Sequence, residues 1–394
     1  MKTRQLYIEN SYEIECQSTV SECTLEDGYY QVVLDKTVFF PEGGGQYGDR
    51  GTIDDVKVLD TQIKDGIVYH KTEEPIQVGK EVVAKIDWER RYEMMQNHSS
   101  EHMISGFVHQ IYGYDNVGFH LGEEEMTLDF NGVLSKEDIE KLEKKVNEYI
   151  WKDIPIIISF PTKEELETLP YRSKKEIDGD IRIVTVEDVD ICACCAPHVK
   201  TTGEIGCVKI ISVQKNKGGV RLTALAGKRA MNDYGKKHNI LSQLTKLCSA
   251  KGDEIIEIVE KLQKEKQQLQ YELSQCRFQL WKEEVKSLPV EDGIAWIQKY
   301  NVSSKELREL ANWLMEKGTI GIAIGKAEET SSSFQYVIGS KEIDVKAFSQ
   351  DILAQFDAKG GGQPQMIQGN GVGDVETLIA HFGQKMKLDK EVEG

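Results

Sequence analysis

Over residues 1–87 the apolar positions fall in short runs or alternate with polar ones. Tyr29–Leu34, Val56–Val58, Ile67–His70 and Glu81–Ile86 carry β-branched and aromatic residues in that pattern. Glu26-Asp27-Gly28 and Lys64-Asp65-Gly66 supply turns, so this segment reads as β-rich. The pattern changes at Trp88. From there to Tyr112, Met94, Met95, Ile104, Phe107, Val108 and Ile111 recur at helical spacing, and Gly113 is a stop. A loop with Gly118, His120 and Gly122 leads into a strand at Met126–Phe130. Ser135 and Asp138 form a capping-box pair ahead of Ile139, Leu142, Val146 and Ile150, the apolar face of a surface helix ending at Trp151. Ile154–Phe160 and Ile181–Val186 read as buried strands.

Further on, Ile255, Val259, Leu262, Leu269, Leu273, Cys276 and Leu280 recur at three- and four-residue steps, interrupted only by Lys266. That spacing predicts one long helix over residues 230–288, ended by Pro289, with either a coiled-coil or hairpin seam or a face packed on its own domain. Residues 290–394 read as a small α/β unit: helix Ser303–Lys317, strands Thr319–Ile324 and Phe334–Ile338, helix Val345–Phe356, a glycine block Lys359–Gly369 read as a loop, and a last helix Val375–Lys385. The expected fold class is α+β. It has a β-rich domain at 1–87, a metal-bearing α/β domain at 88–230, a long helical segment at 231–288 and a C-terminal α/β domain at 289–394.

Composition changes this picture in four ways. A chain of 394 residues calls for more than one core. No run of eighteen apolar residues occurs and Met1-Lys2-Thr3-Arg4 opens without an apolar stretch, so neither a membrane span nor a signal peptide is expected. The eight cysteines are scattered or bunched near 192–195, which suits a reducing, cytoplasmic setting. The net charge of -17 means that any nucleic-acid contact needs a local basic patch. One exists. Between Ile205 and Gly252 the only acidic residue is Asp233, and Lys217, Arg221, Lys228 and Arg229 are among ten basic residues there. They read either as a phosphate track or as a solvated face balanced by acidic neighbours.

The chemistry concentrates on two pairs. His98 and His102 stand at i and i+4 on the Trp88–Tyr112 helix, so both imidazoles project from one face. Cys194 and His198 repeat the four-residue interval. Three imidazoles and a thiolate suit zinc better than calcium, magnesium or iron. Cys194 has the right spacing to His198, while Cys192 and Cys195 remain as spare thiols and Cys207 reads as packed in a strand. His109 is seven residues past His102, ~10 Å along the axis, too far to share the ion, and reads as structural or solvent-exposed. Glu101 is open to two readings, general base or surface residue. The second is favoured because its side chain leaves the direction of His102 by ~100°. The glycines of Thr37-Val-Phe-Phe-Pro-Glu-Gly-Gly-Gly-Gln46 allow a close backbone approach but form no P-loop, since no Gly-Lys-Ser/Thr follows.

Taken together, Phe39-Phe-Pro-Glu-Gly-Gly-Gly-Gln46, His98-x-x-x-His102, Cys194-x-x-x-His198 with Thr202-Gly-Glu-Ile-Gly206, and Lys217-Gly-Gly-Val-Arg221 with Gly227-Lys-Arg-Ala230 resemble one pattern in one order. It is that of the alanyl-tRNA editing proteins, AlaX, and of the editing domain of alanyl-tRNA synthetase. Cys195-Ala196-Pro197 departs from the Gly-Gly-Thr of many relatives. Lys359-Gly-Gly-Gly362 resembles the C-terminal domain of that synthetase and the DHH-associated domain, as in a long-form AlaX. The resemblance implies one Zn²⁺ on His98, His102, Cys194 and His198, and hydrolysis of the ester in Ser- or Gly-tRNA(Ala), in trans. Thr37 and Gln46 would border the pocket. Lys359, Gly360, Gly361 and Gly362 would lie near phosphate or base, and residues 231–288 or the C-terminal domain would serve a homodimer. A tRNA-binding protein with structural zinc, or a zinc protease of the H-x-x-E-H type, are the alternatives.

Overall fold

Six strands close a barrel at the N-terminal end of the chain, in the order Glu15–Glu26, Tyr29–Leu34, Ile67–Thr72, Val56–Lys64, Gly51–Ile53 and Glu81–Ile86. Alternation puts Val32, Leu34, Ile53, Val58, Val82, Ala84 and Ile86 inside. The computed structural model describes residues 2–173 and 181–393. The described chain divides into two units, Met1–Gln243 and Leu244–Gly394. It is an α+β protein.

In the first unit the helix Trp88–Tyr112 is central. Asp87 caps it by accepting from the Arg90 amide, and Gly113 ends it in the left-handed conformation. Every residue from Met94 to Val108 is buried. On its sides lie an antiparallel sheet (Val208–Asn216, Gly219–Ala226, Met126–Phe130, Asn116–Leu121), the helix Lys136–Trp151 with its Ser135 capping box, and a three-stranded sheet (Ile156–Ser159, Ile183–Val186, Asp190–Ala193). A buried ion pair ties helix to barrel. The Arg91 guanidinium bonds the Asp49 carboxylate and the carbonyls of Ser11 and Val38, and Asp49 also accepts from the Phe40 amide. These bonds hold the 39–51 glycine block against the helix two turns before His98.

Gly106 sets the approach on another side. A Cβ there would come within 2.3 Å of the Val189 carbonyl, so only glycine lets the turn before Asp190 touch the helix. The contact falls one turn after His102 and brings Asp190 beside it.

Several expectations change. Asn116–Leu121 is a strand, not a loop. Ile156–Ser159 is an edge strand and leaves Ile157 57% exposed, so it is not a buried strand. Ile111 is 47% exposed, because the helix has by then left the core. The helix expected over 230–288 is two, Gly227–Cys248 and Glu254–Ser287, broken where Ser249 and Gly252 take positive φ.

The second unit has a five-stranded sheet: Ile294–Tyr300, Ile320–Lys326, Ser333–Gly339, Met366–Val372 and Lys359–Gln363. The first pair is parallel and the rest antiparallel. The helices Ser304–Met315, Val345–Ala354 and Val375–Glu393 accompany the sheet, and Glu254–Ser287 belongs to the same unit. The glycine block, expected as a loop, is the exposed edge strand of this sheet and the hairpin partner that follows it.

Candidate metal centre

His98 and His102 come from the middle of the buried helix, Cys194 and His198 from the segment that follows the strand Asp190–Ala193. Arg182 shapes that segment: its guanidinium donates to the carbonyls of Cys194 at 2.7 Å and Ala196 at 2.9 Å, and its own carbonyl accepts from the Cys194 amide at 3.0 Å. One ligand atom from each of the four side chains lies within 4.8 Å of all the others. The Cys194 Sγ is 3.6 Å from His98 Nε2 and 3.4 Å from His198 Nε2. Tetrahedral zinc, with Zn–S of about 2.3 Å and Zn–N of about 2.05 Å, requires a sulfur–nitrogen edge of about 3.6 Å.

Each histidine is held from behind. Nδ1 of His98 meets Gln46 Oε1 at 2.9 Å, Nδ1 of His102 meets Asp190 Oδ2 at 2.9 Å, and Nδ1 of His198 meets Ser99 Oγ at 3.0 Å. Ser99 Oγ also accepts from the Val199 amide. A proton on Nδ1 leaves every Nε2 lone pair facing inward, the arrangement in which outer partners orient metal-binding imidazoles. Asp190 is in turn gripped by Arg172, Nε to Oδ1 and Nη2 to Oδ2, both 2.8 Å.

The electrostatics agree with a cation site. Burial opposes ionisation of the Cys194 thiol, but His98, His198 and His102 around it hold it well below its ordinary value. Burial pushes His198 down to about 3, so it stays neutral. Burial works against a proton on His102, yet the Asp190 bond, Cys192 and Cys194 together outweigh it and the net shift is upward. Cys192 belongs to a second group with His102 and Asp190, on the Nδ1 side, and burial raises its thiol to about 11. Cys195 is exposed, its Sγ packed beside Gly43 and Gly44. The donor set and its spacing fit zinc.

The glycine block roofs this cluster. Gly45 has φ +83°, its carbonyl accepts from the Leu121 amide, and a Cβ there would strike the Phe119 carbonyl at 2.7 Å. The turn delivers Gln46 to His98, and the other end of its amide, Nε2, is buried with no hydrogen-bond partner among the described residues. A buried donor in this state calls for an acceptor from outside the chain.

Thr37 is elsewhere in contact terms. Its hydroxyl meets His70 Nε2 at 2.8 Å and accepts from the Phe39 amide, inside the barrel. Arg221 makes a two-pronged bond to Asp129, Lys228 pairs with Glu89 and Glu93, and Arg229 is buried, donating to the Gly122 carbonyl. Lys217 sits exposed at a hairpin turn, and Lys359, Gly360, Gly361 and Gly362 on the edge strand of the second unit. His109 is at the surface, paired with Asp115.

Glu101 overturns its favoured reading, for it is 2% exposed rather than on the surface. Its Oε1 accepts from Ser105 and Asn116, both at 2.7 Å, and Oε2 is 3.9 Å from His102 Nε2. The missed signal was its i+3 relation to His98, which puts it ~60° from that side chain. Gln46 was foreseen at the site, but Ser99, Asp190, Arg172 and Arg182 were not.

Two family models match the chain, tRNA synthetases class II (A) over residues 8–90 and the threonyl and alanyl tRNA synthetase second additional domain over residues 181–223. Over 375 residues the chain is 30% identical to alanyl-tRNA editing protein Aarsd1-B of Xenopus laevis, covering 92% of this chain and 90% of that one. It belongs to the alanyl-tRNA editing protein family. Alanyl-tRNA editing protein AlaX-L of Pyrococcus horikoshii is 28% identical over 98% of this chain and 99% of its own. Alanine–tRNA ligase of Ignicoccus hospitalis is 29% identical over 92% of this chain but only 40% of the ligase. The family's second matched segment includes Arg182, Asp190, Cys194 and His198.

Proposed function

We propose that this chain is a trans-editing hydrolase that removes serine or glycine from mischarged tRNA(Ala) by cleaving the aminoacyl ester, at a zinc ion held by His98, His102, Cys194 and His198. The observation that carries this reading is the convergence of four donors, each imidazole engaged at Nδ1 by a neighbouring side chain, in a member of the alanyl-tRNA editing family. Near full-length coverage of AlaX-L supports the trans mode. Bound zinc would supply positive charge to polarise the ester carbonyl or to anchor the substrate's amino end.

The chain's own residues do the rest. The Gln46 amide gives its Nε2 protons to a substrate oxygen, while its Oε1 keeps His98 in place. Gly43 and Gly44 leave room for the aminoacyl end beside His98 and Cys195. A site that hydrogen-bonds a serine hydroxyl rejects alanine, because a buried donor would then go unpaired. Thr37 supports this block from the barrel side through His70. To tRNA backbone contacts we assign Lys217 and the exposed faces of Arg221 and Lys228, with Arg229 acting from behind these, and, within the second unit, the Lys359–Gly362 strand. Leu262, Leu269, Leu273 and Leu280 are exposed on one helix, and a second copy of the chain would cover them. The working place of such a protein is the cytoplasm.

The decisive experiment measures deacylation of Ser-, Gly- and Ala-tRNA(Ala) by the wild type, His102→Ala and Cys194→Ala, with zinc content in parallel. Ester cleavage that spares Ala-tRNA(Ala) and vanishes with the metal supports the reading. A wild type that binds zinc and tRNA and cleaves no ester makes the centre structural, as four protein ligands allow.

A further inference from the structure

Three guanidinium groups gather toward the end of the glycine block and share one carboxylate. Arg50 follows Gln46 by four residues, and Arg90 lies in the first turn of the central helix. Arg50 Nη2 reaches Glu123 Oε1 at 2.8 Å, and Arg90 Nη2 reaches the same oxygen at 3.3 Å. Burial pushes the Glu123 carboxyl up, but the charges of Arg90, Arg50 and Arg229 outweigh it and hold it below its ordinary value. The segment bearing Glu123 is tied to the glycine block, since the Leu121 amide donates to the Gly45 carbonyl at 2.8 Å. The arginine group therefore adjoins the roof of the candidate centre.

Arg50 and Arg90 are held independently of Glu123. Arg90 Nη1 donates to the Gly48 carbonyl at 2.8 Å with its side chain only 13% exposed, and Arg50 Nε donates to the Leu59 carbonyl at 3.1 Å. Glu123 is 48% exposed, and an ion pair so open to solvent is weak and easily exchanged. Arg90 Nε is buried with no hydrogen-bond partner among the described residues, as Gln46 Nε2 is. Two fixed guanidiniums, a loosely held carboxylate on them and an unused donor beside it describe a seat for a stronger anion. Phosphate suits it, because the guanidinium fork matches phosphate oxygens. Arg50 also lines a groove of about 680 Å³ on the barrel together with Lys57 and Lys85, so the cationic surface continues beyond the arginine group.

We propose that Arg50 and Arg90 bind the last phosphodiester of the RNA 3′ end, and that Glu123 occupies their donors until the RNA arrives. The assignment rests on the reading above that places the aminoacyl end at the His98 cluster. That phosphate is joined to the same ribose that carries the amino acid. A centre that takes the aminoacyl end therefore needs an anion partner within one sugar ring's reach. Gly48, whose carbonyl fixes Arg90, is two residues from Gln46, at most ~7 Å along the backbone. The arginines touch only the RNA backbone, so the contact sets register and carries no sequence information.

The test uses the full-length wild type, Arg50→Gln and Glu123→Gln, with zinc content and Ser-tRNA(Ala) cleavage measured on each. Binding is read with tRNA(Ala) ending in a seryl amide in place of the ester, which is not turned over. This RNA is made with either a natural or a neutral methylphosphonate last linkage. Arg50→Gln is expected to weaken binding of the natural RNA by about tenfold and to lower the slope of log Kd against log salt by about 0.7. On the methylphosphonate RNA the same substitution is expected to cost less than about twofold, because the partner charge is already gone. Glu123→Gln removes the competing charge and is expected to tighten binding of the natural RNA by about two- to fivefold. An Arg50→Gln effect that is absent or equal on both RNAs, or weaker binding in Glu123→Gln, overturns the subsite. Inorganic phosphate that binds through Arg50, with no effect of the methylphosphonate on RNA binding, overturns it too and marks a site for a small anion. A wild type that cleaves no ester, while Arg50 and the last linkage remain coupled, removes hydrolysis at the centre and leaves the subsite standing.

Discussion

Replacing Asp190 by asparagine tests whether the cluster is a metal centre or an incidental gathering of histidines. The carboxylate does two jobs at once. It accepts the Nδ1 proton of His102 at 2.9 Å and both prongs of the Arg172 guanidinium at 2.8 Å. An asparagine cannot do both. With its oxygen toward His102, its NH₂ faces the guanidinium, donor against donor. With its oxygen toward Arg172, its NH₂ faces Nδ1 and drives the ring proton to Nε2, where no metal can bind. Loss of such an outer partner typically weakens metal affinity by about 10- to 100-fold, or about 1.4–2.7 kcal/mol. Arg172 also loses its partner in a largely buried place, so the fold is expected to lose up to about 3 kcal/mol besides. The assay is competition for zinc against a chromophoric chelator near neutral pH, with urea unfolding of the same samples. Ser99→Ala, which removes only a neutral hydroxyl from His198, is expected to fall at or below the lower end of that range. Zinc affinity for Asp190→Asn within about twofold of the wild type, in a protein that remains folded, would refute the reasoning.

Other outcomes follow from the same contacts. Asp49→Asn leaves the Arg91 guanidinium buried without its counter-charge and is expected to cost about 3–5 kcal/mol in urea unfolding, a loss under about 1 kcal/mol counting against it. Gly45→Ala combines a positive φ with a Cβ 2.7 Å from the Phe119 carbonyl. It should shift the roof of the site and lower Ser-tRNA(Ala) cleavage while the four ligands still bind zinc, as metal analysis and rate measurements on one preparation can show. His70 is held neutral in the barrel by burial, at about 4 against an ordinary value of 6.5. The unfolded chain therefore takes up this proton first, and stability falls as the pH drops from about 6.5 to about 4, by at most roughly 3 kcal/mol. His70→Gln should show a flatter pH dependence of its urea midpoint over that window, and an unchanged slope would contradict this account.

The grouping of His98, His102, Cys194 and His198 was legible because it rests on helical periodicity and a repeated four-residue interval, both local. The same logic misjudged Glu101. An angle of ~100° from His102 implies solvent only if a helix has a wet side, and this helix has none between Met94 and Val108. Arg91 and Asp49 are 42 residues apart and Gly106 and Val189 are further, so no local pattern announces either contact. The apolar spacing from Ile255 onward was carried back to residue 230, across the break that positive φ at Ser249 and Gly252 creates. The Lys359 block reads as a loop because glycines have low strand propensity. Its strand is made by backbone pairing with Met366–Val372, which side-chain pattern does not report.

His98 and Cys194 stand 96 residues apart in the chain, one on the central helix and the other in the segment after the strand Asp190–Ala193. A metal ion held between them is therefore a cross-link as well as a reagent. Tying together points that far apart removes conformations from the unfolded chain much as a disulfide does, by about 4–5 kcal/mol in the chain-entropy model. Among the described residues, Ser99, Asp190 and their neighbours would then hold the Cys194–His198 segment to the central helix once the ion is withdrawn. A newly made chain lacking its metal would be both inactive and the copy most open to proteases around residues 190–200. The quantity of working enzyme would thus follow metal supply through turnover of the protein as well as through chemistry at the site.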